Sequence, residues 1–247
     1  MLYDLAVKVW KEGDKDQLIK RFFPKFTYFS NKIKNDETRL RDVEAVFKGE
    51  KVLGFNGNMK TIKEIENHRD LCNNILQLAK ENSSKLSINL IKQVHYELMK
   101  GCFTESIFAN GENSGDFRNS DLNYSSVNPI ELEEKLRRLV EEINKANINE
   151  SNVLGIVGYF HCSLLNIKPF PIDNGRMGRV LFNYLLMGNN LPPIIISYLD
   201  KEKYYFALEH FSKNKDITKM VNFLDNQAYK TWNKDYKAKT KRLKDFL

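Results

Sequence analysis

Lys168-Pro169-Phe170-Pro171-Ile172-Asp173-Asn174-Gly175-Arg176-Met177-Gly178-Arg179 stands between a helically patterned run over residues 150–166 and an apolar run over 180–187. The prolines end the helical pattern before them, and the polar Asp-Asn-Gly turn opens the next one. A helix starting near Asn174 exposes unsatisfied N–H groups and a partial positive charge in its first turn, which suits a bound phosphate. Arg176 and Arg179, three residues apart, share one helix face and add planar, bidentate donors.

Outward from this stretch, apolar residues recur at helical spacing almost throughout. The pattern predicts helices over residues 1–11, 40–48, 58–80, 87–100, 128–145, 150–166, 174–188, 201–212 and 216–245. Start signals are Thr38 ahead of Leu40, Val43 and Phe47, Ser87, Asn128 followed by Pro129, and Asp216 before Ile217. Residues 103–118 are rich in Gly, Asn and Ser and break the periodicity, which predicts a loop or hairpin. No internal repeat is visible, and the predicted class is all-α with a small β-hairpin.

At 247 residues and 42% hydrophobic, the chain can bury a substantial core as one large domain or one domain with an added arm. Cys72, Cys102 and Cys162 lack metal spacing and close pairing, so they read as reduced, mostly buried thiols. The longest apolar stretches are cut by Pro192, Pro193 or charges, and no secretory leader is visible. A soluble, cytoplasmic protein without membrane contact is expected. The net charge of +7 and Lys230, Lys234, Lys237, Lys239, Lys241, Arg242 and Lys244 invite a nucleic-acid reading. Met220, Phe223, Leu224, Tyr229, Trp232 and Tyr236 run through the same tail at roughly helical spacing. An amphipathic helix with a solvated basic face accounts for both sets, so no nucleic-acid partner is expected.

The loop resembles the Fic family signature H-P-F-x-(D/E)-G-N-G-R-x-x-R, whose best-known members transfer AMP from ATP to a hydroxyl of a target protein. Pro169, Phe170, Asn174, Gly175, Arg176 and Arg179 match it, while Lys168 replaces the histidine, Ile172 the acidic residue and Asp173 the first glycine. The resemblance implies a Fic-like helical bundle that binds ATP or another nucleotide. Asn174, Gly175, Arg176 and Arg179 are then nucleotide-binding residues, and Lys168 and Arg176 hold the catalytic positions. An ordinary lysine pKa of about 10.4, against about 6.5 for histidine, makes Lys168 a poor general base unless burial depresses it beside Arg176 and Arg179. Ile172 offers Mg2+ no oxygen, and Asp173, one residue on, is the remaining candidate metal ligand.

Other segments carry the resemblance further. His161 lies in the helix leading to the loop, either as a packing residue or as a substitute base. Leu191-Pro192-Pro193-Ile194 and the run through Tyr204 and Tyr205 resemble segments that close the nucleotide pocket, the tyrosines being adenine contacts or helix core. Ser30-Asn31-Lys32-Ile33-Lys34-Asn35 resembles the inhibitory motif (S/T)-x-x-x-E-(G/N), with Lys34 at the glutamate position facing repulsion from Arg179. Either the brake is lost and Lys34 turns to solvent, or Lys34 helps hold an anion. Ser114-Gly115-Asp116-Phe117-Arg118 resembles the flap, where Gly115 and Arg118 would help dock a target protein by main-chain pairing, or it is a plain surface connection.

The expected organisation is an N-terminal helical arm with the inhibitory-like segment over residues 1–50, a Fic core over 51–215 and a basic C-terminal helix over 216–247. Two functions stay open. The chain either binds a nucleotide, phosphate or partner protein with impaired AMP transfer, or it transfers a nucleotidyl or phosphoryl group through nonstandard residues.

Overall fold

The computed structural model describes residues 1–81, 85–120 and 127–240. In chain order the helices are α1 (Tyr3–Glu12), α2 (Lys15–Lys32), α3 (Leu40–Lys48), α4 (Met59–Glu81), α5 (Ile88–Met99), α6 (Glu105–Ala109), α7 (Leu132–Lys145), α8 (Val153–Ile167), α9 (Asn174–Gly188), α10 (Lys201–Asn214) and α11 (Thr218–Thr240). Every residue of α9 from Arg176 to Met187 is buried, so this helix is surrounded rather than one-sided. Helices α8, α4 and α5 pack around it, with α2 touching it from the N-terminal side. The loop before α9 is thereby held at the centre of the bundle.

Start signals act as expected at three helices. The Ser87 hydroxyl accepts from Leu90 N–H, Asn128 Oδ1 from Ile130 N–H and Asp216 Oδ1 from Thr218 N–H. At α3 the expectation fails: Arg39 occupies the cap position without a side-chain bond, and Thr38 is buried beneath it.

Helix α2 is missing from the sequence reading. Pro24 sits inside it, and a mid-helix proline costs about 3 kcal/mol through the lost hydrogen bond and ring clash. Burial offsets that cost, since Phe22, Phe23 and Phe26 are each worth roughly 1.5–3 kcal/mol when removed from water. Phe22 stacks on Trp232 of α11, whose Nε1 donates to Pro193 O at 2.8 Å, and Trp10 of α1 meets the same indole edge-on. Asp14 caps α2 by accepting from Asp16 and Gln17 N–H. Asp14→Ala should therefore destabilise the protein by about 1 kcal/mol in urea denaturation, with Asp14→Ser close to neutral.

The β-hairpin is not formed. Residues 103–120 carry the short helix α6 and turns, and no strand occurs among the described residues. Side-chain hydrogen bonds satisfy this backbone in place of a ladder: Glu112 Oε1 accepts from Asn119 N–H, and Gly111 O accepts from Asn119 Nδ2. The end of the helix expected to residue 245, with Lys241, Arg242 and Lys244, lies outside the described residues. All three cysteines are buried and unpaired. No helix among the described residues is long and apolar enough to cross a membrane.

Candidate functional site

The loop between α8 and α9 is built by conformations that its sequence selects. Lys168 ends α8 in the left-handed region at φ 48°, and Asp173 precedes α9 at φ 62°. Between them Asn174 closes the turn reciprocally, its Oδ1 accepting from Phe170 N–H at 3.0 Å and its Nδ2 donating to Phe170 O at 2.7 Å. Phe170 is buried and stacks on His95 at 3.9 Å, anchoring the loop to α5. No side chain caps the first turn of α9.

Behind the loop lies a buried charge network. Arg176 donates through Nε to Asp173 Oδ1 at 2.7 Å, through one terminal nitrogen to Asn31 Oδ1 at 2.7 Å and through the other to Glu64 Oε1 at 3.0 Å. Burial would lower the guanidinium pKa, but Asp173 and Glu64 outweigh it and hold the group charged. Burial would likewise raise the Asp173 carboxyl, but Arg176 and then Lys34 keep it well below the usual range. Lys34 Nζ meets Asp173 Oδ2 at 2.5 Å. Arg179 donates to Ser30 Oγ at 3.0 Å and Ser30 O at 2.9 Å. Asn35 Nδ2 reaches Thr61 Oγ1 and Glu64 Oε2, so it steadies a partner of Arg176.

Ser30, Lys34 and Asn35 are thus brought to the loop, and Lys34 has a partner, Asp173, that the sequence reading did not name. Lys34 stays half-exposed while its ammonium pairs with Asp173. The glycine-to-aspartate exchange at position 173 supplies it with a carboxylate. Glu64 and Thr61 escape the sequence reading, and Asn31 enters it only as part of the Ser30–Asn35 segment; the signal for the first two is polar residues at helical spacing on the inward face of α4, where Thr61, Glu64, Asn67 and His68 are all buried.

Because Arg176 compensates two buried carboxylates, Arg176→Ala should cost about 3–5 kcal/mol, readable as a large fall in thermal midpoint. Glu64→Gln added to it should recover part of the loss by removing one stranded charge. Equal midpoints for native and Arg176→Ala proteins would sink this account of the network.

A cleft of about 550 Å³ opens in front of the loop, lined by Asn174, Gly175, Arg176, Arg179, Lys168 and Lys34, with Tyr204 and Tyr205 on its far wall. A Cβ on Gly175 would lie 3.3 Å from an Arg179 terminal nitrogen, so glycine keeps the approach to that guanidinium narrow but open. Tyr205 is half-exposed. Tyr204 is buried, and its hydroxyl meets His161 Nε2 at 2.7 Å. His161 does not line the cleft. Burial, with Arg179 adding, pushes its pKa down to about 3. Gly178 lies against it: a Cβ there would come within 2.9 Å of His161 Nδ1, so α8 and α9 need glycine at this crossing. Lys168 lines the cleft, and its pKa is lowered by burial and then by Arg118, not by Arg176 and Arg179 as the sequence suggested.

Gly115 and Arg118 lie outside the cleft and fasten the loop. Gly115, at φ 87°, donates its N–H to His95 Nδ1 at 2.9 Å, and His95 Nε2 donates to Ile172 O at 3.1 Å. Arg118 is buried. Its Nε donates to Lys168 O at 2.8 Å, its N–H to Pro169 O at 2.9 Å, and its terminal nitrogens to Ser120 O and Val127 O.

The Mg2+ that the resemblance implies does not fit this loop. Ile172 supplies no side-chain oxygen, both oxygens of Asp173 already face cations, and the described residues hold no cluster of three or more His, Cys, Asp or Glu side chains able to take a metal.

Residues 85–186, from the start of α5 almost to the end of α9, match the model of the Fic/DOC family. Over 177 residues the chain is 26% identical to the protein adenylyltransferase Fic of Drosophila erecta, covering 68% of this chain and 34% of that protein. Its likeness to the Drosophila persimilis protein of the same name is 30% over 120 residues, covering 47% of this chain and 23% of the relative. The chain therefore spans about a quarter to a third of the length of these curated relatives. Its fold is shared with a Fic-domain-containing signaling protein from Bacteroides thetaiotaomicron, at TM-score 0.80 and 20% identity over 96% of this chain and 97% of that one. Fic-1 from C. elegans aligns at TM-score 0.77 and 20% identity, over 96% of this chain and 70% of that one. The likeness to the Fic/DOC family is thus carried by residues 85–186.

Proposed function

We propose that this chain keeps the phosphate cradle of a Fic-type adenylyltransferase and binds a nucleotide in the cleft, with AMP transfer weakened by the exchanges at positions 168 and 172. The observation that carries this reading is the cleft itself. Gly175, Arg179, Lys168 and Lys34 line it, and the first turn of α9 has no side-chain cap competing for its N–H groups. Arg176 supports the cradle from behind, since two carboxylates already hold it. Tyr205, exposed on the wall, is suited to stack on a base, and Tyr204 backs it from the core.

In this reading Lys168 stands where a hydroxyl nucleophile would surrender its proton. An ammonium stabilises phosphate charge but cannot accept a proton, and losing a positioned general base typically removes about a hundredfold to ten-thousandfold in rate. One observation favours the active alternative: burial and Arg118 lower the Lys168 pKa, which raises the fraction of free amine. A target protein would approach from the open side of the cleft. The division into an arm, a Fic core and a final helix belongs to the same proposal.

The deciding experiment is incubation with labelled ATP in a lysate, alongside Lys168→Ala and Arg179→Lys controls. Arg176→Ala is unsuitable as a control because it strips the buried network. ATP binding with little or no protein label supports the proposal. Label that vanishes with Lys168→Ala establishes the active alternative, and no ATP binding at millimolar concentration sinks both.

A further inference from the structure

The site contains an ion pair that the reading above does not use. Asp173, its side chain almost wholly buried, presents Oδ1 to Arg176 at 2.7 Å and Oδ2 to Lys34 Nζ at 2.5 Å. Lys34 is half-exposed, lines the cleft and stands at the end of a flexible four-carbon stem. Its ammonium has three donors, of which Asp173 takes one.

We propose that the Lys34 ammonium takes the place of a divalent cation in this cleft, so that a phosphate-bearing ligand binds as the free anion, without Mg2+. This rests on the phosphate reading given above and specifies its chemistry.

Three observations lead to it. A divalent ion coordinated to Asp173 would have to displace Lys34, since the other oxygen is held by a guanidinium that is itself fixed by Asn31 and Glu64. The displaced site would then put two positive charges beside Arg176, where one now balances the network. The neighbouring position is Ile172, which gives no side-chain oxygen, and its carbonyl already accepts from His95. Magnesium holds most of its water and needs near-octahedral oxygen ligands, so a single shared carboxylate is a weak foothold. Finally, Arg176 and Lys34 are balanced by Asp173 and Glu64, while Glu209 is the other carboxylate in the cleft lining against Lys168 and Arg179, which leaves the cleft a cationic excess that can neutralise phosphate oxygens directly. Asp173 holds Lys34 at the cleft wall, and a phosphate can share the ammonium without breaking that pair.

The test is calorimetric titration of the full chain with ATP and with inorganic pyrophosphate, each in EDTA and in excess Mg2+. The native protein should bind at least as tightly in EDTA as with the metal. Lys34→Met should weaken binding in EDTA by roughly tenfold to a hundredfold, the worth of one charge-assisted hydrogen bond, while Lys34→Arg should retain it. Circular dichroism checks that the variants fold, and Mn2+ should leave the amide signals of residues 172–176 unbroadened in the native protein. Binding that requires Mg2+, Mn2+ broadening at this loop, or a Lys34→Met protein indistinguishable from native in EDTA would each overturn the inference while leaving the phosphate site standing. No binding of either anion in either buffer overturns both.

Discussion

Between pH 7 and pH 5 the protein should lose several kcal/mol of stability, because three buried histidines are neutral in the fold and protonated in the unfolded chain. Burial lowers the pKa of each: to about 4 for His95, and to about 3 for His68 and His161, with nearby arginines adding to the effect at the latter two. The contacts suit neutral rings. Gly115 N–H points at His95 Nδ1, His68 Nδ1 shares a hydrogen bond with Thr27 Oγ1 at 2.9 Å, and His161 Nε2 meets the Tyr204 hydroxyl. The sign follows from proton uptake. An unfolded histidine titrates near 6.5, so the folded state gains in full above that value and loses the gain as pH falls toward 4 for His95 and 3 for the others. Near pH 5 unfolding takes up almost three protons, giving a slope approaching roughly 4 kcal/mol per pH unit. Asp173, held low by its partners, adds a loss of the same sign only below about pH 4. Urea denaturation at pH 8, 6.5 and 5.5 reads the slope, and His68→Gln should remove about a third of it. Stability that is flat across this range would mean the rings protonate in place.

How much of this was legible in the sequence varies with the physical origin of each feature. The helices around the loop were visible because they are amphipathic or wholly apolar, and the caps at Ser87, Asn128 and Asp216 are local events between residues close in sequence. Helix α2 was not visible because its stability comes from Trp232, more than two hundred residues away, while the local signal at Pro24 argues against a helix. The hairpin was misread because Gly, Asn and Ser mark a break in helix without saying what replaces it; side chains such as Glu112 and Arg118 do the work that a strand ladder would have done. At the site, the signature residues could be placed by motif, but their charges could not be balanced. Glu64 and Asn31 reach Arg176 only through tertiary packing, and the motif places Lys34 opposite Arg179 while its partner in the fold is the changed residue at position 173.

Lys168→His combined with Ile172→Asp should raise AMP transfer at least a hundredfold over the native chain, with self-labelling by ATP as the readout. The backbone tolerates both changes. Lys168 holds its left-handed conformation through a main-chain bond to Leu164 O, and histidine is among the residues that adopt that region more readily than most. Ile172 is half-buried, and its contact to His95 is made by the carbonyl, which every residue has. Histidine brings a base that titrates near neutral pH, and the typical worth of such a base is about a hundredfold to ten-thousandfold. The new carboxylate gives Mg2+ an oxygen ligand that does not depend on prising Asp173 from Lys34. The two changes should therefore differ in kind. Lys168→His alone should raise the rate and bring a pH dependence centred near 6.5, whereas Ile172→Asp alone should alter the response to Mg2+ with little gain in rate. Their combination should exceed the product of the single effects if base and metal act on the same transition state. If the native chain already labels itself as fast as the double variant, Lys168 is a working base, and the lowering of its pKa by burial and Arg118 becomes the origin of activity rather than a remnant of a lost site.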